Sequence, residues 1–450
     1  MEIAGFYRQL ESRAKSHGFD AVEMIFSRAT DFSTKMFRGE VEAYQLSSEI
    51  GISLRGEYQG AIGYYYSELV DESIIEEALE AMKGSALVME VKEEFISQSQ
   101  EVLCDDSDYH PALVGIEYPQ IMPLMAGAEE MLKGGDPRIT EVPYNLYALM
   151  EREISIMNSK GMNLSQKFNL NYYVLSALAK DGDKGKTAMD YKASGDPIHF
   201  HDRDFIGGIA REAVSLLRAK PVASGNYPVI LENKVAAQIL GGFKSLFSAE
   251  MVDKDLSLLK GLLGRKIGVE GLNILDDPTQ EKALIHRKFD DEGTLARSKN
   301  LVKDGRLLEY LHNSKTSRKM GMAPGGNGYR EGIKSALGIS PTNLFIEPAS
   351  KSFEELIREV EQGLLITEIQ ALHSGLNAIS GDFSLPAQGY RIEGGRITDS
   401  VDQITISSNI MEVFQQISGI SDDLYFHIPN GMGSVGSPSL LIEEISVSGE

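Results

Sequence analysis

The chain is poor in the residues that staple small folds. Its 450 residues include one Cys, no Trp and eight His. A single cysteine excludes an intrachain disulfide framework, and equally a four-Cys zinc finger or an iron–sulfur cluster. Basic residues are also scarce: 44 Lys and Arg stand against 66 Asp and Glu, a formal charge of −22. A nucleic-acid surface needs a positive face, so this balance argues against one. Long apolar runs are missing too. A long stretch without Asp, Glu, Lys or Arg, Tyr425 to Ile442, is broken by Pro and Gly and does not suit a membrane helix. The first residues, Met1 to Arg8, lack the basic start and apolar run of a signal peptide, which points to a cytoplasmic protein. What is present is ordinary core material, 42 % hydrophobic. At roughly 100–200 residues per domain, the length suits about two to four domains.

Periodicity places the elements. Ile3, Phe6, Tyr7, Leu10 and Ala14 recur at helical spacing up to Gly18. Ile50, Ile52 and Leu54 alternate with polar residues as in a half-buried strand, with a turn expected at Arg55-Gly56-Glu57 and a return strand over Ala61 to Tyr66. Asp71 is positioned to cap a helix whose apolar face is Ile74, Ile75, Ala78, Leu79 and Met82. A linker around Cys104 and Pro111 leads to a helical stretch ending near Lys133. Strands follow at Glu151 to Asn158 and from Leu164, where Leu164, Phe168, Leu170, Tyr172 and Val174 share a face. A helix from about Asp204 to Leu217 closes the segment, so helix, antiparallel strands, helix occurs twice without visible identity between the copies. Lys220 to Tyr227 reads as the main boundary. Beyond it, Val229 to Leu231 is a strand, Asn233 to Phe247 a helix, and Ser352 with Glu355 a capping box. Short strands are expected at Leu364–Thr367, Gly389–Ile392, Gln403–Ile406 and Leu440–Ile445. Strand runs with segregated helices imply α+β, with mixed, largely antiparallel sheets in two main domains. The segments are 1–100, then 101–220 packing with it, then a β-rich 221–450.

Any metal site must come from His17, His110, His199, His201, His286, His312, His373, His427 and Cys104. No pair of histidines has the spacing of a zincin helix. His199-Phe200-His201 is the closest pair. On a strand both rings face one way and can meet a metal; the competing reading is a strand-to-helix junction capped by Asp202 or Asp204. Cys104 lies among carboxylates, which suppress its thiolate. Gly241-Gly242-Phe243-Lys244-Ser245 looks like the tail of a P-loop but lacks its spacing. Gly325-Gly326-Asn327-Gly328-Tyr329-Arg330 is a loop whose N–H groups, with Arg330, can bind a carboxylate or a peptide carbonyl; the other reading is a flexible surface loop. Phe289-Asp290-Asp291-Glu292-Gly293-Thr294 and Asp276-Asp277-Pro278 are acidic turns, read as solvated, although paired carboxylates can also bind a hard cation or share a proton.

Several of these runs resemble the TldD/PmbA family, also called peptidase U62 or "modulator of DNA gyrase". They are Ile274 to Pro278, Phe289 to Thr294, Leu301 to Leu307, Thr342-Asn343-Leu344, Ser380 to Ser384, Gly389 to Gly395 and Ser437 to Leu441. They cover about residues 225–450. Phe37-Arg38-Gly39-Glu40 and Asn158 to Gly161 agree in the first half. The resemblance implies a cytoplasmic metalloprotease of two kinds of subunit acting on unfolded peptides. One kind carries H-E-x-x-x-H on a helix plus a distant Cys that bind zinc; the other, the PmbA or TldE type, lacks them. In this chain Gly241 and Gly242 stand where the first His and the Glu belong, Leu246 where the second His belongs, and the last third has no Cys. The resemblance is thus to the PmbA type: no cofactor and no catalytic residue in this chain, zinc in a TldD-type partner, and Gly325, Gly326, Asn327, Gly328 and Arg330 as peptide-binding residues. Two other readings stand beside it: a peptide-binding homo-oligomer without catalysis, for which a two-fold dimer is the commonest arrangement, and a metallohydrolase with an unorthodox site near His199 and His201.

Overall fold

The computed structural model describes residues 3–88, 96–97, 102–429 and 433–450. The boundary expected at residue 100 lies outside them. The fold is α+β with mixed, largely antiparallel sheets.

One sheet occupies the first half. Its strands are β1 (Ala21–Phe37), β2 (Glu40–Tyr58), β3 (Ala61–Ser67), β4 (Val102–Asp108), β5 (Ile139–Glu141), β6 (Asn145–Asn158), β7 (Asn163–Asp181) and β8 (Lys184–Ser194). The main path runs β3-β2-β1-β6-β7-β4, with β5 and β8 also on β7. Two-residue turns with positive φ at both positions make the first two hairpins, Arg38-Gly39 and Gln59-Gly60. The turn expected at Arg55-Gly56-Glu57 is therefore strand instead. Gly56 is there for packing: it pairs across the strands with Gly63, and a Cβ on Gly63 would lie 1.7 Å from the carbonyl oxygen of Met82. The two glycines let the helix Ile75–Val88 press onto the sheet. Asp71 accepts from the N–H of Ser73 at 2.9 Å, as its capping position implies.

The two faces of this sheet have different tasks. Val22, Met24 and Phe26 of β1 pack on Phe6 and Leu10 of the helix Ile3–Ser16 and on Ile75 and Leu79. On β7, Tyr173, Leu175 and Ala177 carry the helices Tyr118–Gly135 and Arg203–Leu216. The opposite face of β7 meets the second half of the chain, Leu164 on Phe289 and Phe168 with Leu170 on Ile285. Cys104 sits in β4, exposed and paired in parallel with β7, where a linker was expected. The strand exists because β7, some sixty residues later, offers an edge.

In the second half, Gly225–Leu231, Gln362–Ile369, Asp382–Glu393, Arg396–Asn409 and Leu440–Ser448 pair in succession. The last also pairs with Gly225–Leu231, so the five close into a ring. Val229, Ile366, Leu385, Ile406 and Ile442 fill its core together with Val235 and Leu240 of the helix Asn233–Gly242. A smaller sheet, in which Ile274–Asp276 pairs with Asn343–Ile346, lies beside it. The helix expected over Asn233 to Phe247 ends at Gly242 and continues as a 3-10 turn over Lys244–Phe247. Adjacent glycines weaken the helix there. The capping box of Ser352 and Glu355 is formed, at 2.8 and 3.3 Å.

Candidate functional site

The glycine loop and the acidic turns come together. Phe289, Asp290 and Asp291 are buried, not solvated as expected. Asp290 accepts from the N–H groups of Gly328 (2.9 Å), Glu292 (3.0 Å) and Thr294 (2.9 Å), and Asp291 accepts from the N–H of Arg330 (2.7 Å). Arg287, wholly buried, donates to Asp291 at 2.6 Å and to the carbonyl of Phe289 at 2.7 Å, with its guanidinium 5.0 Å from the Tyr329 ring centre. The carboxylates are buried because backbone donors far along the chain, at Gly328 and Arg330, and the neighbouring cation Arg287 satisfy them. The sequence held a hint: several N–H donors in a glycine run suit carboxylates, and here the carboxylates are the chain's own.

Asp276 completes this frame. It accepts from the Thr342 N–H (2.7 Å), the Thr342 hydroxyl (2.6 Å) and the Asn327 amide (2.7 Å), and it faces Lys299 at 3.2 Å. Lys299 also donates to the carbonyls of Arg297 (2.7 Å) and Gly325 (2.8 Å). Gly325 to Tyr329 are buried, so this is an anchored segment and not a flexible surface loop. Only Arg330 reaches beyond it.

Arg330 and Glu292 line a cavity of about 640 Å³ between β2–β3 and the second half of the chain. Glu292 accepts from the Ser314 N–H at 2.7 Å, and a Cβ on Gly328 would lie 2.6 Å from its carboxylate and 3.2 Å from that of Asp290. The two carboxyls converge there. Burial above all, and each other's charge at Asp290, push both upward, so the pair retains a proton more readily than free carboxyls do. Arg55, another wall residue, is buried in an ion pair with Glu23, Nε to carboxylate 2.9 Å. Neither Arg55 nor Glu23 had a local sequence signal; Arg55 reads as a polar residue at the start of a turn.

A second group lies at the start of the helix Asn233–Gly242. Lys234 pairs with Asp190 of β8 and lies over the rings of Tyr191 and Tyr425. His427 donates from Nε2 to the Lys234 carbonyl at 2.8 Å and accepts at Nδ1 from the Tyr191 hydroxyl. Burial lowers the His427 pKa, in keeping with the neutral ring. Glu212 and Glu232 sit close by, each pushed up to about 7 by burial above all.

The glycines of that helix touch only apolar groups. Position 241 faces Val435, 3.6 Å from an ideal Cβ, and a Cβ at 242 would stand 2.3 Å from Leu376. Leu246 is buried in the core. Glycine and leucine side chains offer zinc no lone pair, so these residues do not fit the metal. His199 and His201 are not brought together on a strand face, because they lie in the connection between β8 and the helix Arg203–Leu216. His199 lines a cavity of about 420 Å³ with Tyr191 and Tyr425, whereas His201 packs over Gly127. Asp202 caps the helix that follows, accepting from the N–H groups of Asp204 and Phe205. Among the described residues no three His, Cys, Asp or Glu side chains cluster as metal ligands, and no helix is long and apolar enough to cross a membrane.

Comparison with known proteins agrees with this architecture. "Metalloprotease PmbA" of Escherichia coli O157:H7 is 26 % identical over 96 % of this chain and 93 % of its own length. "Metalloprotease TldD homolog" of Haemophilus influenzae is also 26 % identical, with the same coverage. A Thermotoga maritima structure named for modulation of a DNA gyrase superposes with TM-score 0.90 at 30 % identity, covering 99 % of this chain and 100 % of that one. TldE from Thermococcus kodakarensis shares the fold, with TM-score 0.84 at 22 % identity and the same coverage. Residues 22–86, 113–220 and 224–449 match domain 1, the central domain and the C-terminal domain of the PmbA/TldA metallopeptidases. The chain therefore belongs to the PmbA/TldD family of metallopeptidases.

Proposed function

We propose that this chain is the non-metal-binding subunit of a TldD/TldE-type cytoplasmic metalloprotease. It forms one wall of a cleft that receives unfolded peptides, and a TldD-type partner supplies zinc. One observation carries the reading: the helix Asn233–Gly242 ends in Gly241 and Gly242, with Leu246 beyond, where the resemblance puts a zinc-binding helix, and their surroundings are Val435 and Leu376. Such a site supplies neither a ligand nor a base for water. The peptide wall on this reading includes Arg330, held at the cavity by the buried loop Gly325 to Gly328.

The test is reconstitution. The purified chain, free of bound zinc by metal analysis, is mixed with a metal-bearing TldD-type relative, and complex formation and peptide cleavage are followed. The expected result is a complex whose cleavage exceeds that of either chain alone. A relative that is fully active alone and forms no complex would refute the reading. Stoichiometric zinc in this chain, lost with activity in a His199→Ala variant, would favour the metallohydrolase instead.

A further inference from the structure

The cavity between β2–β3 and the second half of the chain reverses the charge of the whole molecule. Its walls carry seven basic side chains against three acidic ones, in a chain whose formal charge is −22, and of the seven Arg55 is held by Glu23 and Lys334 by Glu68 from outside the lining. Two of those acids are already matched, Glu250 by Lys254 at 2.6 Å and Asp253 by Lys319 at 2.7 Å. The third, Glu292, shares its surroundings with Asp290 and faces the field of Arg55. Exposed ion pairs of this kind are weak and exchange readily, so Lys254 and Lys319 can turn to an incoming anion. Arg330 is the fixed cation. One Nη donates to the carbonyl of Ser335 at 2.7 Å, its N–H is tied to Asp291, and its buried Nε has no hydrogen-bond partner among the described residues. A buried guanidinium donor left over is costly unless something accepts from it. Tyr64, Tyr65 and Tyr66 add an aromatic wall.

We infer that this cavity binds the carboxylates of an acidic segment of a peptide, with Arg330, Lys254 and Lys319 as the recognising groups. The inference rests on the peptide reading above and specifies which peptides the cleft retains. Charge concentrated in a recess of low dielectric selects one sign of ligand and raises its local concentration. A volume of about 640 Å³ takes in side chains and not just a small ion. Guanidinium and carboxylate are matched in shape, since the planar fork donates two parallel bonds.

The experiment needs no partner chain. Fluorescein-labelled hexaglutamate and hexalysine are titrated against the full-length protein, followed by fluorescence anisotropy. Hexaglutamate is expected to bind, hexalysine not, and binding is expected to weaken as salt rises. Arg330→Gln is expected to weaken hexaglutamate tenfold or more. The double variant Lys254→Gln/Lys319→Gln, whose sites are exposed, reads the same effect without touching the buried loop. Unchanged affinity in the double variant and in a folded Arg330→Gln would overturn the inference, as would equal binding of hexalysine. Displacement by inorganic phosphate at the peptide's own concentration would also overturn it, because the site would then take any small anion. Failure here leaves complex formation with the TldD-type relative intact, and failure of that complex leaves hexaglutamate binding intact, so the two readings fail separately.

Discussion

Replacing Lys299 by Met tests whether the buried frame holds the loop that carries Arg330. Lys299 is 1 % exposed, and all three ammonium protons are used, toward Asp276, the Arg297 carbonyl and the Gly325 carbonyl. Methionine keeps most of the stem volume but removes the charge and the donors. Asp276 is left fully buried with three donors instead of four partners, and two carbonyls lose theirs. Breaking a buried ion pair costs about 3–5 kcal/mol. Because Asp276 keeps three hydrogen bonds, the expectation is the lower end, about 3 kcal/mol. The assay is urea unfolding followed by fluorescence or circular dichroism, with the cost read from the shift in midpoint. Asp276→Asn is measured alone and in combination. Removing both charges should cost less than the two single costs added, with a coupling of about 1–3 kcal/mol. A cost below about 1 kcal/mol for Lys299→Met, or strict additivity in the cycle, would show that the pair does not hold the loop and would refute the reasoning.

Other expectations are as direct. Glu232 is pushed up to about 7 by burial, so its contribution to stability is complete below the ordinary carboxyl range and is lost as pH rises through about 7. Each pH unit between the ordinary value and about 7 is worth about 1.36 kcal/mol, so Glu232→Gln should be more stable than the parent at pH 8, by up to roughly 3 kcal/mol, and the gap should narrow steadily toward the ordinary carboxyl range; thermal melts from pH 8 downward check it. Gly63→Ala should destabilise by about 1–3 kcal/mol or more, because its Cβ would meet the Met82 carbonyl at 1.7 Å, and a melting temperature equal to the parent's would contradict this. Ser352→Ala should cost about 1 kcal/mol in urea unfolding through loss of the cap on the helix Phe353–Arg358.

Local signals in the sequence were reliable where the cause was local. The face of the first helix, the cap at Asp71 and the capping box at Ser352 depend on residues within a turn or two of one another, and the structure has them. The errors share another origin. Gly56 reads as a turn residue until Phe19 and the backbone at Met82 are seen to require the absence of side chains at Gly56 and Gly63. Phe289 to Thr294 reads as a solvated turn because its partners, Gly328 and Arg330, are nearly forty residues away. A still longer separation hides the strand around Cys104, which needs β7 to exist. At the candidate site, Arg330 and the glycines were visible as a motif, whereas the cavity was not, since β2 and β3 supply Ser53, Arg55 and Tyr64 to Tyr66 of its wall.

The placement of β1 has a consequence for dissection. This strand pairs with β2 on one side and with β6 on the other along almost its whole length. The segment matched as domain 1 and the segment matched as the central domain thus share one set of ladder hydrogen bonds. A gene fragment ending just after β3 would leave β1 with thirteen paired positions bare, and one beginning at β4 would strip the same row from β6. Both products would carry adhesive edges ready to recruit a neighbour. The matched central and C-terminal segments meet largely through side chains, with Leu164 on Phe289 and Phe168 and Leu170 on Ile285.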